Sequence, residues 1–174
     1  MLGNKPKVQY LDVVDESGRV IGKDTRENLH KNPKAIHPTV NMLIVNSKNE
    51  FLVHLRSFRK KENPGLWEIS SAGHIDSGEK PFRAACRELL EELGIKVGLK
   101  FIDKKVFRFD NESELAHLYF GKSDGPFKIN KAEIEEIRFV KYKDLKDFLR
   151  QNREKSMLEY WLPAIEKHKD IIFN

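Results

Sequence analysis

Gly73–Ile95, GHIDSGEKPFRAACRELLEELGI, is the stretch that decides the fold of this chain. Lys80-Pro81 suits a helix start, because the N–H that proline lacks is not needed in a first helical turn. From Phe82 to Leu93 the apolar residues Phe82, Cys86, Leu89 and Leu93 recur at helical spacing, a stripe to bury against a sheet. Gly94 supplies the C-cap. Glu88, Glu91 and Glu92 lie three and four residues apart, so they crowd one side of the same helix. Like charges at that spacing repel unless something neutralises them. Hard divalent cations take oxygen ligands, and Mg²⁺ commonly joins carboxylates to substrate phosphates. An isolated run of this kind is more often a solvated acidic face. Glu79 and Arg87, in register behind a glycine-rich approach, reverse that preference. Arg87 stands four residues before Glu91 and near Glu79, suited to an ion pair that orients carboxylates.

The spacing is Gly73, five residues, Glu79, seven residues, Arg87-Glu88-Leu89, one residue, Glu91-Glu92, one residue, Gly94-Ile95. It resembles the Nudix box of the Nudix hydrolases at all nine defined positions within twenty-three residues. The resemblance implies an α/β fold, an α/β/α sandwich with a mixed β-sheet. It also implies metal-dependent attack of water on phosphorus in a nucleoside diphosphate derivative or related small diphosphate, with Mg²⁺ as cofactor and Mn²⁺ as the alternative. Carried onto this chain, Glu88, Glu91 and Glu92 match metal ligands. Ala72 matches a residue whose backbone carbonyl often binds metal. Glu79 lies near the metal site, and Glu88 is the first choice for the general base, with Glu79 and Arg87 completing the catalytic set.

Arg56–Gly78, above all NPGLWEISSAGH, is also similar to one branch of that family, the isopentenyl diphosphate isomerases and their hydrolase relatives. In the isomerases three histidines and two glutamates hold a further metal. His30, His37 and His74 match the histidines in type and approximate spacing, and Glu112 and Glu114 match the glutamates. Two histidines in a polar connector and an acidic turn would carry no such meaning alone. The isomerases have an essential cysteine where this chain has Ala72, and Cys86 is too far along the helix to replace it. Their Nudix box is degraded, whereas this one is complete. The resemblance therefore implies a hydrolase of isomerase-like ancestry, with isomerisation of a prenyl diphosphate as the alternative. A noncatalytic nucleotide sensor would not need so many carboxylates.

The 174 residues suit one domain, 1–174, with a sizeable core. A hydrophobic content of 39% and a charged content of 34% are those of a soluble protein, and no apolar run reaches the length of a membrane span. MLGNKPKVQY lacks the apolar core of a signal peptide. The one cysteine, Cys86, reads as buried filler and makes no intramolecular disulfide, which agrees with a reducing, cytoplasmic location. The net charge of +5 is compatible with a phosphate ligand. The lysines are spread along the chain, so no specific nucleic-acid partner is expected, and the oligomeric state stays open.

Arg56, Arg59 and Lys60 precede the box and suit diphosphate oxygens. Trp67 reads as core in preference to a base-stacking platform, while Phe109, Tyr119 and Phe120 are open on the same question. Glu135 and Glu136 are candidates for the additional carboxylate that family members often place late in the chain. Strands are expected at 8–14, 19–23, 39–45, 50–56, 67–71, 101–109, 116–120 and 134–140. Helices are expected at 143–151 and 156–167, the latter kinked or divided by Pro163.

Overall fold

The computed structural model describes residues 8–152 and 158–173. Its centre is β3 (Ile36–Val45), in which every residue is buried. A strand covered on both faces needs a continuous apolar run, which MLIV supplies. β3 runs parallel to β8 (Ser113–Lys122) from Ile36↔Ser113 to Val45↔Lys122. On its other side β6 (Ser71–His74) pairs antiparallel with Thr39–Met42. Asn46 closes the turn after β3, its side-chain oxygen accepting from the N–H groups of Lys48 and Glu50 at 3.0 and 2.9 Å. The chain returns as β4 (Glu50–Arg56), which carries β5 (Trp67–Ile69) and β9 (Ile134–Lys141), both antiparallel. β7 (Lys100–Arg108) flanks β8, and the hairpin of β1 (Tyr10–Val14) and β2 (Val20–Thr25) joins at Ile36. The result is the expected mixed sheet.

Side-chain alternation divides the core in two. Leu43, Val45, Phe51 and Val53 point to the face covered by α3 (Leu145–Gln151), α4 (Leu162–Lys167) and α5 (Lys169–Phe173). Met42, Ile44 and Leu52 point to the opposite face, where α2 (Pro81–Leu93) lays down Ala85, Leu89 and Leu93. Pro81 stands in the first turn of α2, and Gly94 at φ 68° ends it. Two members of the expected stripe are misplaced. Phe82 is 50% exposed and meets Tyr119 edge-on, and Cys86 is only half-buried. Ala84 and Ala85 take the buried positions, because small side chains let the helix approach the sheet.

Other differences bear on the site. β3 begins at Ile36, so His37 is a strand residue and not part of a connector. Pro38 discourages a strand assignment, yet the parallel pairing continues through Pro38↔Leu115. The run 67–71 is two strands, because Ser70 wedges between β3 and β4. Its hydroxyl donates to Leu52 O at 2.6 Å and accepts from Ile44 N–H at 2.7 Å. A short helix, α1 (Arg26–Leu29), occupies the polar stretch before β3, capped by the Thr25 side chain. Pro163 lies in the first turn of α4, dividing it from the 3₁₀ turn Leu158–Trp161. The expected helix start at Ser156 lies outside the described residues. Trp67 is core, edge-on to Phe148, and Phe120 and Tyr119 are buried as well.

Leu89 is 1% exposed under the sheet. Leu89→Ala should lower the unfolding free energy by about 2–5 kcal/mol, read from chemical denaturation, since the vacated space cannot fully close.

Candidate functional site

One cavity of about 490 Å³ opens between α2, the middle of β3, the strands β5 and β6, and the loop 57–66. Glu88, Glu91 and Glu92 of α2 line one side, as the box spacing requires. Glu92 is the deepest, accepting from the Ser71 hydroxyl at 2.6 Å and the Ala72 N–H at 3.3 Å. Burial pushes its carboxyl up to about 8, and burial likewise raises Glu88 to about 7. Glu91 is more exposed. Gly73 makes room for this arrangement: a Cβ there would stand 2.1 Å from Glu88 Cδ.

Arg87 organises the glutamates from behind. Its Nε and Nη2 donate to the two oxygens of Glu79 at 3.1 and 2.8 Å. Nη1 donates to Glu88 Oε1 at 2.6 Å, and Nη2 also reaches the His74 carbonyl at 3.0 Å. These carboxylates hold the guanidinium even more firmly protonated than usual. Glu79 is absent from the cavity wall and meets the carboxylates that face it through Arg87, which does line it.

The opposite side is built from histidines. The ligand atoms of His30, His37, His74 and Glu112 all lie within 4.8 Å of one another. His30 Nε2 is 2.9 Å from His74 Nε2 and 3.2 Å from Glu112 Oε2, and His37 Nε2 is 3.6 Å from the same oxygen. Burial takes His37 down to about 3, and burial holds His74 well below the usual range. Both are therefore neutral imidazoles, the form that binds metal. Both ring nitrogens of His37 and Oε2 of Glu112 are buried without a hydrogen-bond partner. Unpaired buried polar atoms are costly, and a divalent cation would satisfy them. The donor set therefore fits an ion. Glu114 lies beside the group and is engaged by the Thr39 hydroxyl at 3.0 Å, with burial raising it to about 7.

The profile of the family described as NUDIX domain matches residues 35–161. The chain belongs to the Nudix family. An isopentenyl-diphosphate Delta-isomerase of Streptomyces avermitilis is 30% identical over 138 residues, 75% of this chain and 70% of that protein. An uncharacterised Nudix hydrolase of Yersinia pestis is 30% identical over 132 residues, 75% of this chain and 71% of that protein. A solved structure from Deinococcus radiodurans shares the Nudix fold with a TM-score of 0.66 at 22% identity, covering 83% of this chain and 99% of that one. Among the described residues, no helix is long and apolar enough to cross a membrane.

Within this Nudix chain the cations expected to meet substrate are largely engaged. Arg56 lines the cavity, but its Nη1 holds both oxygens of Glu68 at 3.2 and 3.1 Å, and Nε and Nη2 donate to the carbonyls of Asn63 and Glu62. Lys60 pairs with Glu133. Arg59 is exposed and is absent from the cavity wall, because the turn after Ser57 points it outward. Glu135 and Glu136 also miss the cavity, and Glu136 pairs with Arg138, whose guanidinium lies over the Trp67 ring. The late carboxylate that does line it is Glu133, one residue before β9. The segment before it docks on the end of α2, with Lys128 N–H to Leu93 O and Asn130 N–H to Glu92 O, both at 2.9 Å. Arg26, Glu62 and Glu68 are further lining residues that no sequence spacing marked. Phe109 forms part of the wall with Tyr160.

Gly73→Ala should displace the Glu88 carboxylate while leaving the strand conformation intact. Since a misplacement of about 1 Å can cost on the order of 10²-fold, turnover should fall by at least roughly tenfold in a steady-state assay. The melting temperature should stay near that of the parent chain.

Proposed function

We propose that the chain is a Mg²⁺- or Mn²⁺-dependent diphosphohydrolase, one Nudix domain across 1–174, acting on a nucleoside diphosphate derivative or related small diphosphate in the cytoplasm. The observation that carries this reading is a single cavity in which Glu88, Glu91, Glu92 and Glu133 converge while Ala72 offers no group to move a proton. Hydrolysis needs carboxylates for metal and water; isomerisation needs the missing thiol. The isomerase names among the relatives speak for shared ancestry, and Ala72 separates this chain from that chemistry.

Glu88, Glu91 and Glu92, with the Ala72 carbonyl, would hold the catalytic ion. His30, His37, His74 and Glu112 would hold a further one, with Glu114 beside it. A bound divalent ion supplies charge compensation for the diphosphate and acidifies water. Arg87 engages Oε1 of Glu88, which leaves Oε2 to accept the proton from attacking water. Ser71 and the Ala72 N–H keep Glu92 at the cavity floor. Lys60, paired with Glu133, would exchange that carboxylate for a phosphate oxygen.

Purified protein with Mg²⁺, screened against nucleoside diphosphate derivatives for released phosphate or nucleoside monophosphate, tests the reading. Failure to turn over any member with either metal would count against it. Glu88→Gln should lower kcat by a factor on the order of 10²–10⁴, the usual contribution of general acid–base catalysis, with a much smaller effect on substrate binding. Near-normal kcat in that variant, together with collapse in Glu133→Gln, would move the base to Glu133. Incubation with isopentenyl diphosphate should yield no dimethylallyl isomer by NMR, and clear isomer formation would overturn the preference for hydrolysis.

A further inference from the structure

We propose that Glu62, a residue of the loop 57–66, positions His30 as a ligand for a divalent cation. The inference rests on reading the histidine group as a metal site. Glu62 divides its two oxygens between two partners. Oε1 is 3.0 Å from His30 Nδ1, and Oε2 accepts from Arg26 Nη2 at 3.0 Å. Arg26 and His30 both belong to the α1 segment, so the carboxylate clamps the loop to α1. A carboxylate only accepts hydrogen bonds, so the contact places a proton on Nδ1. In the neutral ring that leaves the Nε2 lone pair exposed, and Nε2 is the atom facing His74 and Glu112 at 2.9 and 3.2 Å. A lone pair on His30 Nε2 facing the Glu112 carboxylate oxygen is an arrangement that a cation between them would satisfy. Metal-bound histidines commonly donate their other N–H to a carboxylate, which fixes tautomer and ring orientation and makes the ligand more basic.

Glu62 has a second consequence. The same loop carries Lys60, whose ammonium pairs with Glu133 on the glutamate side of the cavity. The segment that orders His30 thus spans both groups of ligands.

Glu62→Ala and Glu62→Gln test the assignment, because the side chain is 45% exposed and neither change leaves a buried hole. Zn²⁺ is the probe, titrated into the parent chain and both variants by calorimetry, with the histidine ring nitrogens followed by NMR. In metal-free parent protein His30 should show the Nδ1-protonated tautomer. Glu62→Ala should mix the tautomers and weaken Zn²⁺ binding at the histidines by roughly 10–100-fold. Glu62→Gln, whose amide oxygen still accepts, should lose less. Unchanged tautomer and affinity in Glu62→Ala, with parent histidine signals that do respond to Zn²⁺, would overturn the role of Glu62 and leave the metal site standing. Histidine signals that ignore Zn²⁺ in the parent chain would sink the site and this inference together. A loss of thermal stability in Glu62→Ala with the tautomer retained would reduce Glu62 to a loop tether.

Discussion

Arg87 binds in three directions at once, to Glu79, to Glu88 and to the carbonyl of His74. The first contact ties the loop before α2 to the helix. The second fixes the orientation of a carboxylate that burial would otherwise drive toward its neutral form. The third fixes the main chain of β6 at the residue whose ring enters the histidine group. One guanidinium thus sets the distance between the two sides of the cavity. Its partners are largely buried, so losing it would strand charges with no compensation, an effect that commonly exceeds the worth of the pair itself. Arginine suits the task better than lysine, because only a planar fork can serve a bidentate carboxylate and a carbonyl together.

The sheet supplies the rest of the frame. β3 passes between both groups of ligands. His37 stands near its start, and Asn41 pairs with Ala72 further along. Burial of β3 on both faces leaves its register little freedom, since a slip by one residue would exchange the two cores. Ser70 adds a local break that turns β6 away from β5 and brings Ala72, Gly73 and His74 across β3 toward the cavity. The site is therefore assembled on strands and α2, and the α1 segment, the loop 57–66, the turn between β7 and β8 and the segment before β9 close it.

What could be read from the sequence follows this division. Glu88, Glu91 and Glu92 were legible because a helix converts spacing into direction. The mixed sheet and α2 followed from the box and from apolar periodicity. His37 was legible in type, through a family resemblance, but not in setting, because Pro38 hides the start of β3. Glu133, Glu62, Glu68 and Arg26 were invisible for one physical reason. Each sits in a loop, a three-residue strand or a short helix whose direction is fixed by tertiary docking, and no local period points at the cavity. Glu135 and Glu136 were plausible on position alone, but the docking of residues 128–130 on the end of α2 brings Glu133 to the cavity instead. Phe82 and Cys86 failed for a related reason: a helix stripe gives a face but not how far its first turn overhangs the sheet.

The chain is basic, with a net charge of +5, yet acidic side chains outnumber basic ones around the cavity. The basic residues there are not free: Arg56 holds Glu68, Lys60 holds Glu133, Arg26 holds Glu62 and Arg87 holds Glu79 and Glu88. A diphosphate entering such a space meets more negative than positive charge. On the proposed reading, the attraction therefore has to come from divalent ions held by the glutamates and histidines, and the side-chain cations act second, by exchanging a carboxylate for a phosphate oxygen. Metal and substrate binding are then linked, since each neutralises charge the other would otherwise oppose. The same surplus of carboxylates makes a purely substrate-binding role for this cavity the poorer explanation.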